Sequence, residues 1–247
     1  DISFGRLDKI PHIQVEWYHA LAPAVLLMLT RFGIPVSTTF LVLSAFASTV
    51  VFEKMMVKSM LGYAIAAVVA YGFWILLSKF LDEKKKVNGS HEKYWRVAQW
   101  CTTGFLWFTW LSHDLANIAV FAPRQMSPTF LARVMVMLVM MLGFIFYEQG
   151  GKIQQIVIEK TTTSYVRSAT IIDGVYAFIL LYLKQMNNIP MSTTWVFVGL
   201  LCGRELAIAT RADRKIKKVF PVVVKDFMKI MMGLCVSVIL VLLVQSL

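Results

Sequence analysis

The sequence predicts an all-α integral membrane protein, laid out as an inverted repeat with broken helices and half-helix hairpins. Three observations predict it. Apolar residues make up 58% of the 247 and charged residues 16%, with a mean hydropathy of +0.66; soluble domains carry about a quarter charged residues. Uncharged runs recur at lengths that can cross a hydrocarbon core of about 30 Å as helices. One seven-residue motif occurs twice, each time interrupting such a run with proline and hydroxyl residues. A chain this poor in charge is not a soluble enzyme, a secreted disulfide domain or a disordered tail. The net charge of +11 sits in short loops between apolar runs. Anionic lipid headgroups and the positive-inside rule account for it, and no nucleic-acid partner is expected.

The elements follow in order. The opening residues 1–17 are mixed in character and read as a loop without the apolar core of a signal peptide. Residues 17–30 make the first apolar segment. Residues 32–52 hold 21 uncharged positions, but Gly33, Pro35 and the triplet Ser37-Thr38-Thr39 interrupt their start. Residues 59–78 form a clean 20-residue run, and residues 230–247 a clean run of 18. Residues 97–112 are aromatic and apolar and lead into His113 and Asp114. Residues 130–147 and 165–186 are two further segments. Residues 187–203 carry Pro190 and the triplet Ser192-Thr193-Thr194. That makes eight hydrophobic segments. Cys101, Cys202 and Cys235 all fall in apolar stretches without metal-ligand spacing and read as buried small hydrophobes.

The repeat is explicit. Residues 34–40, Ile-Pro-Val-Ser-Thr-Thr-Phe, recur as 189–195, Ile-Pro-Met-Ser-Thr-Thr-Trp, identical at five of seven positions at an offset of 155. Each copy is followed by Lys-x-x-x-Lys-x-x-x-Gly: Lys54, Lys58 and Gly62, then Lys225, Lys229 and Gly233, at an offset of 171. The second copy therefore holds 16 extra residues, which contain the basic stretch 211–218. Residues 1–90 are read as the end of a first inverted repeat and 91–247 as a second. If every segment crosses, five crossings separate Lys54 from Lys225, so the copies are inverted. The same count leaves four spans between the basic loops 79–96 and 204–229 and puts both on one side, which the positive-inside rule makes cytoplasmic.

Three polar interruptions fall where hydrocarbon is expected: 35–39, 190–194 and His113-Asp114-Leu115-Ala116-Asn117. Proline removes a backbone donor, and broken backbone survives at membrane depth only against protein or a water-filled cavity. After each break, Ser-Thr-Thr opens a half-helix whose free N–H groups and dipole favour an anion. Two such starts from inverted copies, meeting near the midplane, are the layout of many secondary transporters. Asp114 and Asn117 are three apart on one helix face, and their oxygens are hard ligands suited to sodium. An ionisable residue inside a membrane segment is functional by default. His113 reads as a hydrogen-bonded or proton-handling side chain rather than a metal ligand, and Arg204-Glu205 as a local ion pair.

These residues resemble the inorganic phosphate transporter family, sodium- or proton-coupled permeases with sulfate permease relatives. In that family each inverted half carries a Gly-Ala-Asn-Asp-Val-Ala-Asn-like motif followed by Pro-Val-Ser-Thr-Thr-His. The two Pro-x-Ser-Thr-Thr stretches resemble the second motif, His113 to Asn117 the first, and 150–199, with Gly203, Leu206 and Ala207, the family's second half. His113 replaces the first Asn, and Phe40 and Trp195 replace the closing His. The first-half Asn-Asp motif is absent, and the simplest account is an upstream part missing from the chain.

The resemblance implies an ion-coupled secondary transporter, a phosphate symporter of the cell (inner or plasma) membrane, multi-pass and often a homodimer. It implies substrate binding by Ser37, Thr38, Thr39, Asp114, Asn117, Ser192, Thr193 and Thr194, ion binding by Asp114, Asn117, Thr39 and Thr194, and proton handling by His113. Beyond sodium ions it implies no cofactor, and the expected partners are inorganic phosphate or another oxyanion, sodium or a proton, and membrane lipid. The alternative is a non-transporting membrane subunit or anion sensor that keeps the fold, motivated by His113, Phe40 and Trp195. An enzyme is not expected, because no nucleophile or metal constellation accompanies His113-Asp114.

Overall fold

The computed structural model describes residues 3–32, 34, 36–77, 90–148, 166–211 and 216–246. Pro35, residues 79–89 of the first basic loop, residues 150–153 and residues 212–215 of the second basic loop lie outside them. The described chain is helical, with no strand among the described residues. A 3-10 turn at Trp17–Ala20 leads into α1 (Leu21–Arg31), and a single π-helical turn follows at Thr39–Leu43. Then come α2 (Thr49–Leu77), α3 (Ser90–Asp114), the short α4 (Ala116–Ala119), α5 (Pro128–Tyr147), α6 (Val166–Met186), α7 (Thr193–Arg211) and α8 (Ile216–Gln245). Four helical stretches are long and apolar enough to cross a membrane: Thr49–Leu77, Pro128–Tyr147, Val166–Met186 and Val223–Val244.

Of the eight expected crossing segments, 59–78, 130–147, 165–186 and 230–247 correspond to these four helices, and 17–30, 32–52, 97–112 and 187–203 do not. Residues 17–30 give α1, whose 11 residues rise about 16 Å, roughly half a hydrocarbon core. Residues 32–52 do not form one helix. Helix α1 ends at Arg31; the proline that follows has no amide to donate, and the hydroxyl side chains compete for backbone hydrogen bonds. The chain resumes as one π turn and a run of bends before α2 begins. The two copies of the repeat thus fold differently. The first triplet opens a five-residue turn and the second opens a helix of 19 residues.

Ends are set locally. Ser127 caps α5, accepting from the Phe130 amide at 3.3 Å, with Pro128 at the first position, where no amide donor is needed. Ser192 caps α7, accepting from the Trp195 amide at 3.2 Å. Ser37 makes the equivalent bond in the first copy, accepting from the Phe40 amide at 3.2 Å.

The centre is a bundle of two parallel pairs. Helix α7 runs beside α2 in the same direction, with Val196 opposite Gly62, Gly199 opposite Tyr63 and Gly203 opposite Ala67. Gly199 and Gly203 form a small-xxx-small stripe that lets the backbones meet. A Cβ on Gly199 would stand 2.3 Å from the Tyr63 carbonyl oxygen, and one on Gly203 2.1 Å from that of Ala67. Helices α3 and α6 are also parallel to each other: Thr170 meets Trp95, Thr103 meets Asp173, and His113 meets Leu180. Thr103 donates to the Asp173 carboxylate at 2.6 Å, which ties this pair together. Helix α8 comes back beside α7 and packs on the π turn, touching α2 through Tyr63 against Phe227. Helix α5 buries none of its side chains.

The described parts of both basic stretches reach the same end of the bundle. Arg204 lies over Trp74 at 5.9 Å and donates to Ser168 at 3.2 Å, and Arg167 lies over Trp95 at 5.3 Å. Arg204 also pairs with Glu205 at 3.0 Å, as the sequence suggested. Of the cysteines only Cys202 is buried; Cys101 and Cys235 are exposed on their helices, which corrects the reading of all three as core residues.

The α2–α7 contact yields a sharp comparison. Gly203→Ala forces the two backbones apart and is expected to cost about 1–3 kcal/mol, the range for overpacking. Gly72→Ala, on α2 with nothing within 4 Å of the new methyl, is expected to be neutral or to stabilise by about 0.5–1 kcal/mol. Thermal unfolding of the purified protein in detergent ranks the two.

Candidate functional site

The site forms where α3 ends, α7 begins and the π turn approaches. Asp114 is the last residue of α3, so its carboxylate projects past the end of one helix toward the start of another. The Thr193 hydroxyl donates to Oδ2 at 2.8 Å. Asn117 Nδ2 donates to Oδ1 at 3.2 Å, and the Thr39 hydroxyl lies 3.5 Å from the same oxygen. Asn117 Nδ2 also donates to the Thr38 hydroxyl at 3.2 Å. Thr38 and Thr193 occupy the same place in the two motif copies. One binds Asn117 and the other binds Asp114, residues one helical turn apart. The structure thus brings both triplets to a single carboxylate–amide pair.

The individual triplet residues divide by what they touch. Ser37 and Ser192 are buried, with their hydroxyl oxygens accepting from the amides they cap. Thr39 and Thr193 are buried and face Asp114. Thr38, Asp114, Asn117 and Thr194 are half-buried and form the accessible lip. Thr194 takes no part in the hydrogen bonds to Asp114. Below the lip, Phe40 and Trp195, again at matching places in the two copies, meet edge to face with centroids 5.5 Å apart. Both are fully buried, so the floor is apolar.

Supporting donors come from residues the sequence reading did not single out. Trp110, one helical turn before Asp114, donates from Nε1 to the Thr193 hydroxyl at 3.2 Å, which orients that hydroxyl's proton toward the carboxylate. The Tyr176 hydroxyl donates to the Thr193 carbonyl at 2.9 Å. Trp110 could have been found from its i, i−4 spacing to Asp114. Nothing in the sequence pairs Tyr176 with the triplet.

The break between α6 and α7 exposes carbonyl groups that two cations satisfy. Lys58 is buried and donates from Nζ to the Asn187 carbonyl and Asn187 Oδ1, both at 2.8 Å, and to the Ile189 carbonyl at 3.0 Å. All three ammonium protons are thereby used. Arg6 adds Nη1 bonds to the Ile189 carbonyl at 2.9 Å and the Asn187 carbonyl at 3.3 Å. Cations also suit this spot because α6 directs the negative end of its dipole here. On the other side of the break, Ser59 accepts from the Ser192 amide at 2.8 Å. Lys58 was marked in the sequence only as part of the repeat, and Arg6 not at all.

His113 is buried next to this cation pair. Its Nε2 lies 2.9 Å from the Leu180 carbonyl, an acceptor only, so Nε2 carries the proton. Nδ1 is buried without a partner, as are Asn117 Oδ1 and Arg6 Nε. Arg6 Nη2 lies 3.5 Å from His113 Nε2. Burial pushes the Arg6 guanidinium down to about 10 and the Asp114 carboxylate opposes that shift, so Arg6 is charged at neutral pH.

The oxygens of Asp114, Thr38, Thr39 and Thr193, with the unpartnered Oδ1 of Asn117, are a hard donor set that fits a sodium ion. The first-turn amides of α7 have no acceptor within their own helix and favour an anion nearby. Compared with protein-family models, curated proteins and solved structures, the chain matches none.

Lys58→Met removes a buried ammonium that binds the Asn187 carbonyl, Asn187 Oδ1 and the Ile189 carbonyl, and is expected to destabilise by roughly 1–3 kcal/mol. Lys54→Met, four residues earlier and exposed, is expected to stay within about 0.5 kcal/mol of the parent. Melting temperatures in detergent compare the two directly.

Proposed function

We propose that the chain is an ion-coupled secondary transporter that moves inorganic phosphate or a related oxyanion across the cell membrane with sodium or a proton. The observation that carries this reading is the convergence of both Ser-Thr-Thr copies on Asp114 and Asn117. A carboxylate beside a helix N-terminus explains the coupling. The helix start attracts an oxyanion, yet Asp114 repels it. A cation held by the Asp114, Thr and Asn117 oxygens, or a proton on the carboxylate, removes that repulsion, so cation and anion favour each other's binding. The opposite directions of α2 and α8, the two helices that carry Lys-x-x-x-Lys-x-x-x-Gly, support an inverted repeat. His113, with its unpartnered Nδ1, is the residue available for proton handling.

A second reading has its own observation. The sealed aromatic floor of Phe40 and Trp195 suits a membrane subunit or sensor that binds an anion without passing it. The two readings separate on flux. In proteoliposomes holding the full chain, labelled phosphate is expected to accumulate under an inward sodium or proton gradient. Asp114→Asn is expected to slow initial uptake by about tenfold or more, the effect of losing one charge-assisted interaction. Thr193→Val is expected to slow it less. If neither phosphate nor sulfate moves under either gradient, or Asp114→Asn transports like the parent, the transporter reading fails. Anion-dependent thermal stabilisation without flux would establish the sensor instead.

A further inference from the structure

A cleft of about 350 Å³ opens beside the break between α6 and α7, against the first turns of α2. Its wall is apolar. Val57 and Leu61 of α2 and Met186 of α6 are exposed there, and Ile189 of the break completes the surface. Lys58 and Asn187 also line it, bound to each other at 2.8 Å. The Lys58 ammonium gives all three of its protons to Asn187 and Ile189, so it has none for a molecule in the cleft. The charges at the rim are different. Glu53 and Lys54 line the cleft one turn before Val57, and both are exposed. Among the described residues neither has a hydrogen-bond or ion-pair partner.

These groups follow a direction. Residues 53, 57 and 61 are four apart and share one face of α2. Lys54 and Leu61 are about 10 Å apart along the axis at the helical rise. Helix α2 is long and apolar enough to cross a membrane, and the charged pair is near its first residue, Thr49. The cleft therefore runs from a charged rim toward the hydrocarbon, and a headgroup followed by an acyl chain has the same order of polarity. The rim decides which headgroup. Inorganic phosphate suits Lys54 but meets Glu53, and it leaves the apolar wall uncovered. An anionic phospholipid covers the wall yet still faces Glu53. A choline head has a cation without an N–H to donate. A phosphoethanolamine head carries a phosphate for Lys54 and a primary ammonium that donates to Glu53, each a charge-assisted hydrogen bond.

We propose that this cleft is a site for a phospholipid with a phosphoethanolamine headgroup, its phosphate on Lys54, its ammonium on Glu53 and the start of one acyl chain on Val57, Leu61, Met186 and Ile189. Asn187 and Ile189 belong to the break whose carbonyls Lys58 holds. The bound lipid thus covers the exposed flank of the segment that places Thr193. The site needs a membrane around α2 and does not need transport.

The test uses the full chain in detergent, as parent, Lys54→Met and Glu53→Gln. Melting temperatures are measured without lipid, and with phosphatidylethanolamine, phosphatidylcholine or phosphatidylglycerol of the same acyl chains. Glycerophosphoethanolamine and inorganic phosphate are added separately as soluble probes. Without lipid the parent and both variants are expected to melt alike. Phosphatidylethanolamine is expected to raise the parent by several degrees and the other two lipids by clearly less. Lys54→Met is expected to lose that shift. Glu53→Gln is expected to lose the preference and to respond most to phosphatidylglycerol, because Lys54 then acts without a carboxylate beside it. Equal shifts with all three lipids, or a parent-like response of either variant, would overturn the assignment. So would a shift of the same size from either soluble probe, which would make the cleft a site for a soluble ion. None of these readouts needs flux, so a chain that moves no phosphate fails the transporter reading and leaves the lipid site standing.

Discussion

Between Met186 and Thr193 the chain leaves one helix and starts another, and its backbone polar groups have no helical partners there. At membrane depth such groups need protein partners. Lys58 and Arg6 take the carbonyls, Ser59 takes the Ser192 amide, and Asn187 Oδ1 accepts from the Ile189 amide at 3.1 Å. The site follows from that arrangement. Once the break is satisfied by fixed side chains, the start of α7 is held in one place and its Thr193 hydroxyl meets Asp114. The polar centre and the break are one structure, with two apolar clusters packed on either side of it.

The site's acidic and hydroxyl half was legible in the sequence. A repeated Pro-x-Ser-Thr-Thr and an Asp-x-x-Asn at helical spacing are local patterns, and local patterns survive folding. The cationic half was not. Arg6 and Lys58 bind carbonyls 129 to 183 residues away, and a backbone carbonyl leaves no residue-type signature to search for. The same holds for Thr103 with Asp173, joined across helices that the intervening chain separates by 70 positions. The fold shows a similar division. Of the long clean runs at 59–78 and 230–247, residues 59–77 lie in α2 and 230–245 in α8. The run 32–52 is as long, but length without charge was a poor guide where Gly33, Pro35 and three consecutive hydroxyl residues stood at its start.

The two motif copies show how context decides what a short sequence becomes. Both serines make the same cap, and both following threonines reach the same carboxylate–amide pair. Beyond that the copies diverge. After Trp195 the chain finds α2 alongside, and its glycines let a helix of 19 residues settle onto it. After Phe40 the π turn packs among α1, α4 and α8 instead of along one helix, and helical order ends within one turn. Identical local chemistry at the site coexists with unlike scaffolding because the cap needs four residues and the helix needs a neighbour.

The glycine contact between α2 and α7 has a mechanical consequence. Two backbones that touch at Gly199 and Gly203 have no layer of side chains between them to slide upon. Helix α2 carries Lys58 and Ser59, and α7 carries Ser192 at its cap and Thr193. These groups therefore ride on one strut, and shear along that seam is blocked. The contacts that reach the site from outside it, Thr38 and Thr39 on the π turn and Arg6 on the opening turns, belong to short segments without such a seam. The strut formed by α2 and α7 is the frame against which those two short segments are placed.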